Sequence, residues 1–120
     1  MKLAKSELDS VVTLKSAVPY MRFLRYEEVG MDLAPHVDAS KWDVRNENRG
    51  RRGSRSSHTF ILFLRDCERG GSTVLLNADE TRIQAISPKR GRLFVFPHRC
   101  LHKSDPTIDV PKLLLRGEMF

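Results

Sequence analysis

A chain of 120 residues, 40% of them hydrophobic and 30% charged, is sized for one domain around one modest core. The formal net charge of +6 favours acidic partners, but fifteen acidic residues are interspersed with the basic ones, so charge alone does not single out nucleic acid. Two cysteines, Cys67 and Cys100, exclude a disulfide-stapled scaffold and fit no zinc-finger spacing. No apolar run reaches the about 18 residues of a membrane-spanning helix, and the opening MKLAKSELDSVV lacks the apolar stretch of a signal peptide. The expectation is an intracellular, cytoplasmic protein with no membrane partner.

Leu8, Val11, Val12 and Val18 recur on an approximately helical period and Pro19 ends it, which predicts a short leading helix within residues 1–19. From Met21 the pattern changes to short runs rich in Val, Ile, Leu, Phe and Thr, bounded by Gly, Pro, Asp and Asn. Strands are predicted over 21–26, 33–38, 57–64, 73–76, 82–86, 92–96, 99–103 and 112–116. Turn signals between them suit antiparallel pairing, so the expected fold is mainly β, a jelly roll of about eight short strands. One stretch breaks the rhythm. Residues 39–57 carry Lys41, Arg45, Arg49, Arg51, Arg52 and Arg55 against Asp43 and Glu47, with two glycines and four serines. This is a long, basic, polar loop inserted between strands.

Chemistry concentrates at His36-Val37-Asp38. On an extended strand residues i and i+2 face the same way, so the imidazole and the carboxylate converge while Val37 turns aside. One histidine from a distant strand completes a facial triad of two histidines and a carboxylate, which binds non-haem Fe(II) and leaves positions open on the metal. His58, His98 and His102 are the remaining histidines that can supply it.

At this point the chain resembles the prolyl 4-hydroxylase-like branch of the Fe(II)- and 2-oxoglutarate-dependent dioxygenases. The resemblance runs from Arg22-Phe23-Leu24-Arg25-Tyr26 through Pro35-His36-Val37-Asp38, Ser57 to Leu64 and Gly70-Gly71-Ser72-Thr73. It continues through Ile86-Ser87-Pro88, Gly91 to Phe96, Leu101-His102 and Lys112 to Phe120. It implies a double-stranded β-helix, Fe(II) on His36, Asp38 and His102, and 2-oxoglutarate as cosubstrate, with ascorbate as an accessory reductant. In the family a basic residue ten positions beyond the distal histidine holds the far carboxylate of the cosubstrate, and Lys112 stands ten beyond His102; from His98 the same offset reaches the uncharged Ile108. Tyr26 matches the cosubstrate-contacting tyrosine; Arg116, on the same face as Lys112, is expected as a supporting or structural cation, or as the anchor in its place, and Thr59 either as a hydroxyl offered to the pocket or as an ordinary strand residue. The chain departs from the family at Phe63-Leu64-Arg65, where many members have Tyr-Leu-Asn; Phe63 has no hydroxyl to donate. It also lacks much of the family's helical support before the first strand, so it is either a compact member or a piece of a longer catalytic domain.

The resemblance implies hydroxylation of a C–H bond, most readily on a protein or peptide side chain such as proline, with release of succinate and carbon dioxide. The basic loop 39–57 with Trp42 would lie near the metal and close over an acidic or extended substrate. Two other readings follow from the same residues. An oxidative demethylase acting on nucleic acid would use the basic loop and bind in a strongly salt-dependent way; a jelly-roll binding module without turnover would have no need of an intact triad together with Lys112. Neither the oligomeric state nor the substrate is legible in the sequence.

Overall fold

The computed structural model describes residues 14, 16–42 and 55–120. The strands, in chain order, are β1 (Arg22–Tyr26), β2 (Leu33–His36), β3 (His58–Phe63), β4 (Thr73–Leu76), β5 (Arg82–Ile86), β6 (Leu93–Pro97), β7 (His102–Ser104) and β8 (Lys112–Met119). They form two four-stranded sheets, β1-β8-β3-β6 and β2-β7-β4-β5, antiparallel throughout. This is the jelly roll expected. The leading helix falls chiefly outside the described residues; within that stretch, residues 16–18 are extended, with Ala17 bridged to Met119 and Val18 N–H donating to Glu118 O at 2.8 Å. Among the described residues no helix is long and apolar enough to cross a membrane.

Alternation along β3 sends Thr59, Ile61 and Phe63 inward, and along β8 it sends Lys112, Leu114 and Arg116 to the same interior. Ile61, Phe63, Leu75, Phe96, Cys100 and Leu114 make the buried core, joined at its edge by Leu24, Tyr26 and Ile86. The opposite face of the β1-β8-β3-β6 sheet is also apolar. Phe23, Leu115, Leu62 and Leu93 stand in one cross-strand row, and Phe23 and Leu93 are each 58% exposed.

Three strands depart from the sequence expectation by more than one residue: β8 runs on to Met119 instead of ending at 116, because β3 pairs along it as far as His58 opposite Met119, and the altered ends of β2 and β7 shape the site. β2 stops at His36 because the next amide to pair, that of Asp38, donates to His98 O at 2.9 Å rather than to β7. The predicted strand over 99–103 begins only at His102, because Pro97 to Cys100 form a turn closed by Cys100 N–H to Pro97 O at 3.0 Å. β2 is an edge strand, which accommodates Pro35 without the loss of a ladder bond. A register shift between Leu33 and His36 brings His36 directly opposite His102.

Candidate metal centre

The cross-strand pairing sets the two imidazoles with centroids 4.2 Å apart. His36 accepts its place through Nδ1, 2.8 Å from Ala34 O, and His102 through Nδ1, 2.9 Å from Cys100 O. A carbonyl only accepts, so in each ring Nδ1 carries the proton, and in the neutral form that binds a metal Nε2 holds the lone pair. Both lone pairs meet Asp38: His36 Nε2 lies 3.5 Å from Oδ1 and His102 Nε2 3.5 Å from Oδ2. One ligand atom from each of the three residues lies within 4.8 Å of the others. An ion bonded at about 2 Å to N and O ligands holds neighbouring donors roughly 3 Å apart, so this set closes around one with little movement.

The carboxylate is held as firmly as the rings. Arg116 Nη2 lies 2.7 Å from Oδ1 and the Thr59 hydroxyl donates to Oδ2 at 2.6 Å. Burial pushes the Asp38 pKa up, but the Thr59 hydrogen bond and the neighbouring His102, Arg116 and His36 outweigh it and leave it below the ordinary carboxylate value. Burial lowers the pKa of His102, which keeps the ring in the neutral form that can bind a metal.

Beside this cluster a narrow cavity of about 40 Å³ runs inward, lined by Tyr26, His36, Thr73, His102, Lys112 and Arg116 among others. Lys112 is 1% exposed, and its Nζ donates to Ser104 Oγ at 2.7 Å and stands 5.0 Å from the centre of the Tyr26 ring. Gly71 makes room for its stem, since a Cβ there would come within 3.0 Å of Lys112 Cδ. Burial pulls the ammonium down to about 8, against the opposing pull of Cys67 and Asp105. Burial likewise raises Tyr26. Arg116 Nε is buried without a hydrogen-bond partner among the described residues. A buried cation satisfied by one neutral hydroxyl, next to an orphaned guanidinium N–H, suits a carboxylate ligand.

The residues singled out in the sequence therefore fall into two groups that share one interior. His36, Asp38 and His102 converge, with Thr59 and Arg116 on the carboxylate; Lys112 and Tyr26 face each other across the β1–β8 register, deeper in the pocket. His98 stands apart from the triad with both ring nitrogens engaged, Nδ1 by Thr59 Oγ1 at 2.8 Å and Nε2 by Ser56 Oγ at 2.7 Å. His58 lies at the start of β3 with Nδ1 2.7 Å from Ser57 Oγ, outside the cluster. Trp42 is packed under the Arg55 guanidinium, 4.6 Å from its ring centre; most of the basic loop, residues 43–54, lies outside the described residues. Ser56 and Ser104 were missed. Ser104 follows His102 by two residues on β7, and that alternation was the available signal.

Comparison with solved structures finds the same fold. A Pseudomonas putida prolyl-4-hydroxylase superposes with a TM-score of 0.60 at 22% identity, over 82% of this chain and 49% of that one. The 2OG complex of a viral collagen prolyl hydroxylase from Paramecium bursaria Chlorella virus-1 superposes with a TM-score of 0.53 at 18% identity, over 86% of this chain and 62% of that one. This chain thus spans about half the length of the first and less than two thirds of the second. No curated protein sequence matches. The profile of one family does match, across residues 21–117 and therefore across every strand up to the last residues of β8, and the chain belongs to that family, the 2OG-Fe(II) oxygenase superfamily.

Proposed function

We propose that this domain is an Fe(II)- and 2-oxoglutarate-dependent dioxygenase that hydroxylates a C–H bond of a protein or peptide side chain, proline being the first candidate. The observation that carries the reading is the convergence of His36, Asp38 and His102, with both Nε2 lone pairs turned to the carboxylate, at the head of a pocket that contains Lys112. His36, Asp38 and His102 hold the iron. Lys112, with Ser104 and Tyr26 beside it, holds the far carboxylate of 2-oxoglutarate, and Arg116 and Thr59 fix the carboxylate ligand. When bound, iron and cosubstrate together supply the oxidising power, with succinate and carbon dioxide as coproducts. The protein's share would be to supply three ligands from His36, Asp38 and His102 and to keep the Lys112 ammonium buried beside the pocket they share. Choice of a peptidyl substrate is supported by the two solved relatives, both named as prolyl hydroxylases and one bound to 2OG.

Anaerobic titration with Fe(II) and 2-oxoglutarate tests the assignment through the visible metal-to-ligand charge-transfer band. The band is expected in the wild type, absent in His36→Ala and weakened at least about 10-fold in apparent affinity in Lys112→Ala, the order of loss for a key partner of a bound carboxylate. A folded wild-type protein that gives no band would overturn the reading.

A further inference from the structure

The Asp38 carboxylate is the inner end of a hydrogen-bond chain that leads out of the site. An ionised carboxylate only accepts, so Thr59 gives its hydroxyl proton to Asp38 Oδ2 at 2.6 Å. The 2.8 Å contact between Thr59 Oγ1 and His98 Nδ1 then has the ring N–H as donor. The other nitrogen of the neutral ring, Nε2, accepts the Ser56 hydroxyl at 2.7 Å, and Ser56 Oγ accepts Lys41 N–H at 2.7 Å. Every link has one allowed direction. The outer links belong to the stem of the segment between β2 and β3, where Ser56 N–H donates to Lys41 O at 2.7 Å, Ser40 Oγ donates to Ser56 O at 2.5 Å, and Trp42 is bridged to Arg55. The His98 backbone clamps the same joint, its carbonyl taking Asp38 N–H and its amide donating to Ser57 O at 3.0 Å.

We propose that His98 is a positioning residue that orients the Asp38 carboxylate through Thr59 and, through Ser56, ties that orientation to the seating of the stem formed by residues 40–42 and 55–57. The inference rests on the reading of His36, Asp38 and His102 as metal ligands. His98 is 6% exposed and both its nitrogens are occupied, so its place in the site is to hold another group still. Without its N–H the Thr59 oxygen loses the donor that fixes its place, its bond to Asp38 Oδ2 is weakened, and Arg116 on Oδ1 becomes the principal hold on the carboxylate, so Oδ2 is less firmly kept beside His102 Nε2. A substrate that moves the stem would be felt at the metal by the same route.

The test is Co(II) binding to the full chain without cosubstrate, followed by its visible d–d bands and by calorimetry. His98→Leu and Thr59→Val are each expected to weaken Co(II) by about 10-fold or more, the usual effect of removing an outer-shell partner. His98→Asn, whose amide N–H lies near the place of Nδ1, is expected to stay within about 3-fold of wild type, because it keeps the donor that Thr59 requires. Acting in series, the double variant should bind no more weakly than Thr59→Val alone. Ser56→Ala, a milder change that leaves the interior intact, should weaken Co(II) a few-fold, and it carries the test if His98→Leu does not melt cooperatively. Wild-type affinity in a folded His98→Leu or in Ser56→Ala, or additive losses in the double variant, would overturn this inference alone. Failure of the wild type to bind Co(II), or equal binding by His36→Ala, would overturn the ligand assignment and this inference with it.

Discussion

At the scale of single residues, Lys112 is the most informative group because its burial leaves a measurable trace. Its ammonium is drawn from 10.5 to about 8, so between these values the unfolded chain keeps a proton that the folded chain has released. The stability it contributes is therefore flat below about pH 8 and rises with pH up to about 10.5. A bound carboxylate works the other way and pulls the proton back on. Affinity for 2-oxoglutarate, measured anaerobically with Fe(II), should be level below about pH 8 and fall by up to roughly tenfold per pH unit above it. Lys112→Arg keeps its charge at all these values and should lose that slope. A wild-type affinity unchanged up to about pH 9.5 would remove Lys112 as the partner of the far carboxylate. This residue was legible through the family resemblance, which places a basic residue ten beyond the distal histidine; Ser104 offered only its two-residue alternation from His102, and Ser56, in a loop, offered nothing until its neighbour in space was known.

At the scale of elements, the strands were readable as short runs of β-branched, aliphatic and aromatic residues bounded by turn residues, a signal that holds even for Thr73–Leu76, where all four residues are buried. Their ends were readable at Thr73–Leu76 and Arg82–Ile86 but not everywhere. The β2 terminus depends on Asp38 N–H finding its acceptor at His98 O, sixty residues away, whereas the start of β7 is set by a local turn from Pro97 to Cys100. The cluster of His36, Asp38 and His102 was nonetheless accessible, since His36 and Asp38 remain on one side although the strand ends between them. The two faces of the β1-β8-β3-β6 sheet give a direct energetic contrast. Phe63, 0% exposed in the core, should cost about 3–5 kcal/mol as Phe63→Ala. Phe23, 58% exposed on the outer face, should cost less than about 1 kcal/mol as Phe23→Ala. Paired urea melts check both values, and a loss at Phe23 approaching that at Phe63 would mean that the outer row is covered in solution.

At the scale of the whole molecule, the sheets interlock so that neighbours in space are distant in sequence. β8 lies between β1 and β3, with Arg22 paired to Arg116 and Ile61 to the same residue from the other side. It also carries Lys112 and Arg116, so the strand that completes the larger sheet is the one that completes the pocket. A chain ending at residue 111 should show no cooperative thermal transition and no Co(II) binding; a sharp melt of that fragment would show that the other strands hold themselves together. The order of synthesis gives the same strand a role in time. β1 is the first of these strands to be made and has no partner in its sheet until β8 has left the ribosome, so the larger sheet and the pocket that β8 lines are completed only then. Such non-local pairing is characteristic of domains that fold in about milliseconds to seconds, and through that interval the apolar row of β1 and β3 is open to other chains. The strand that completes the pocket beside His36, Asp38 and His102 is thus also the one whose late arrival leaves the nascent chain dependent on protection from its neighbours.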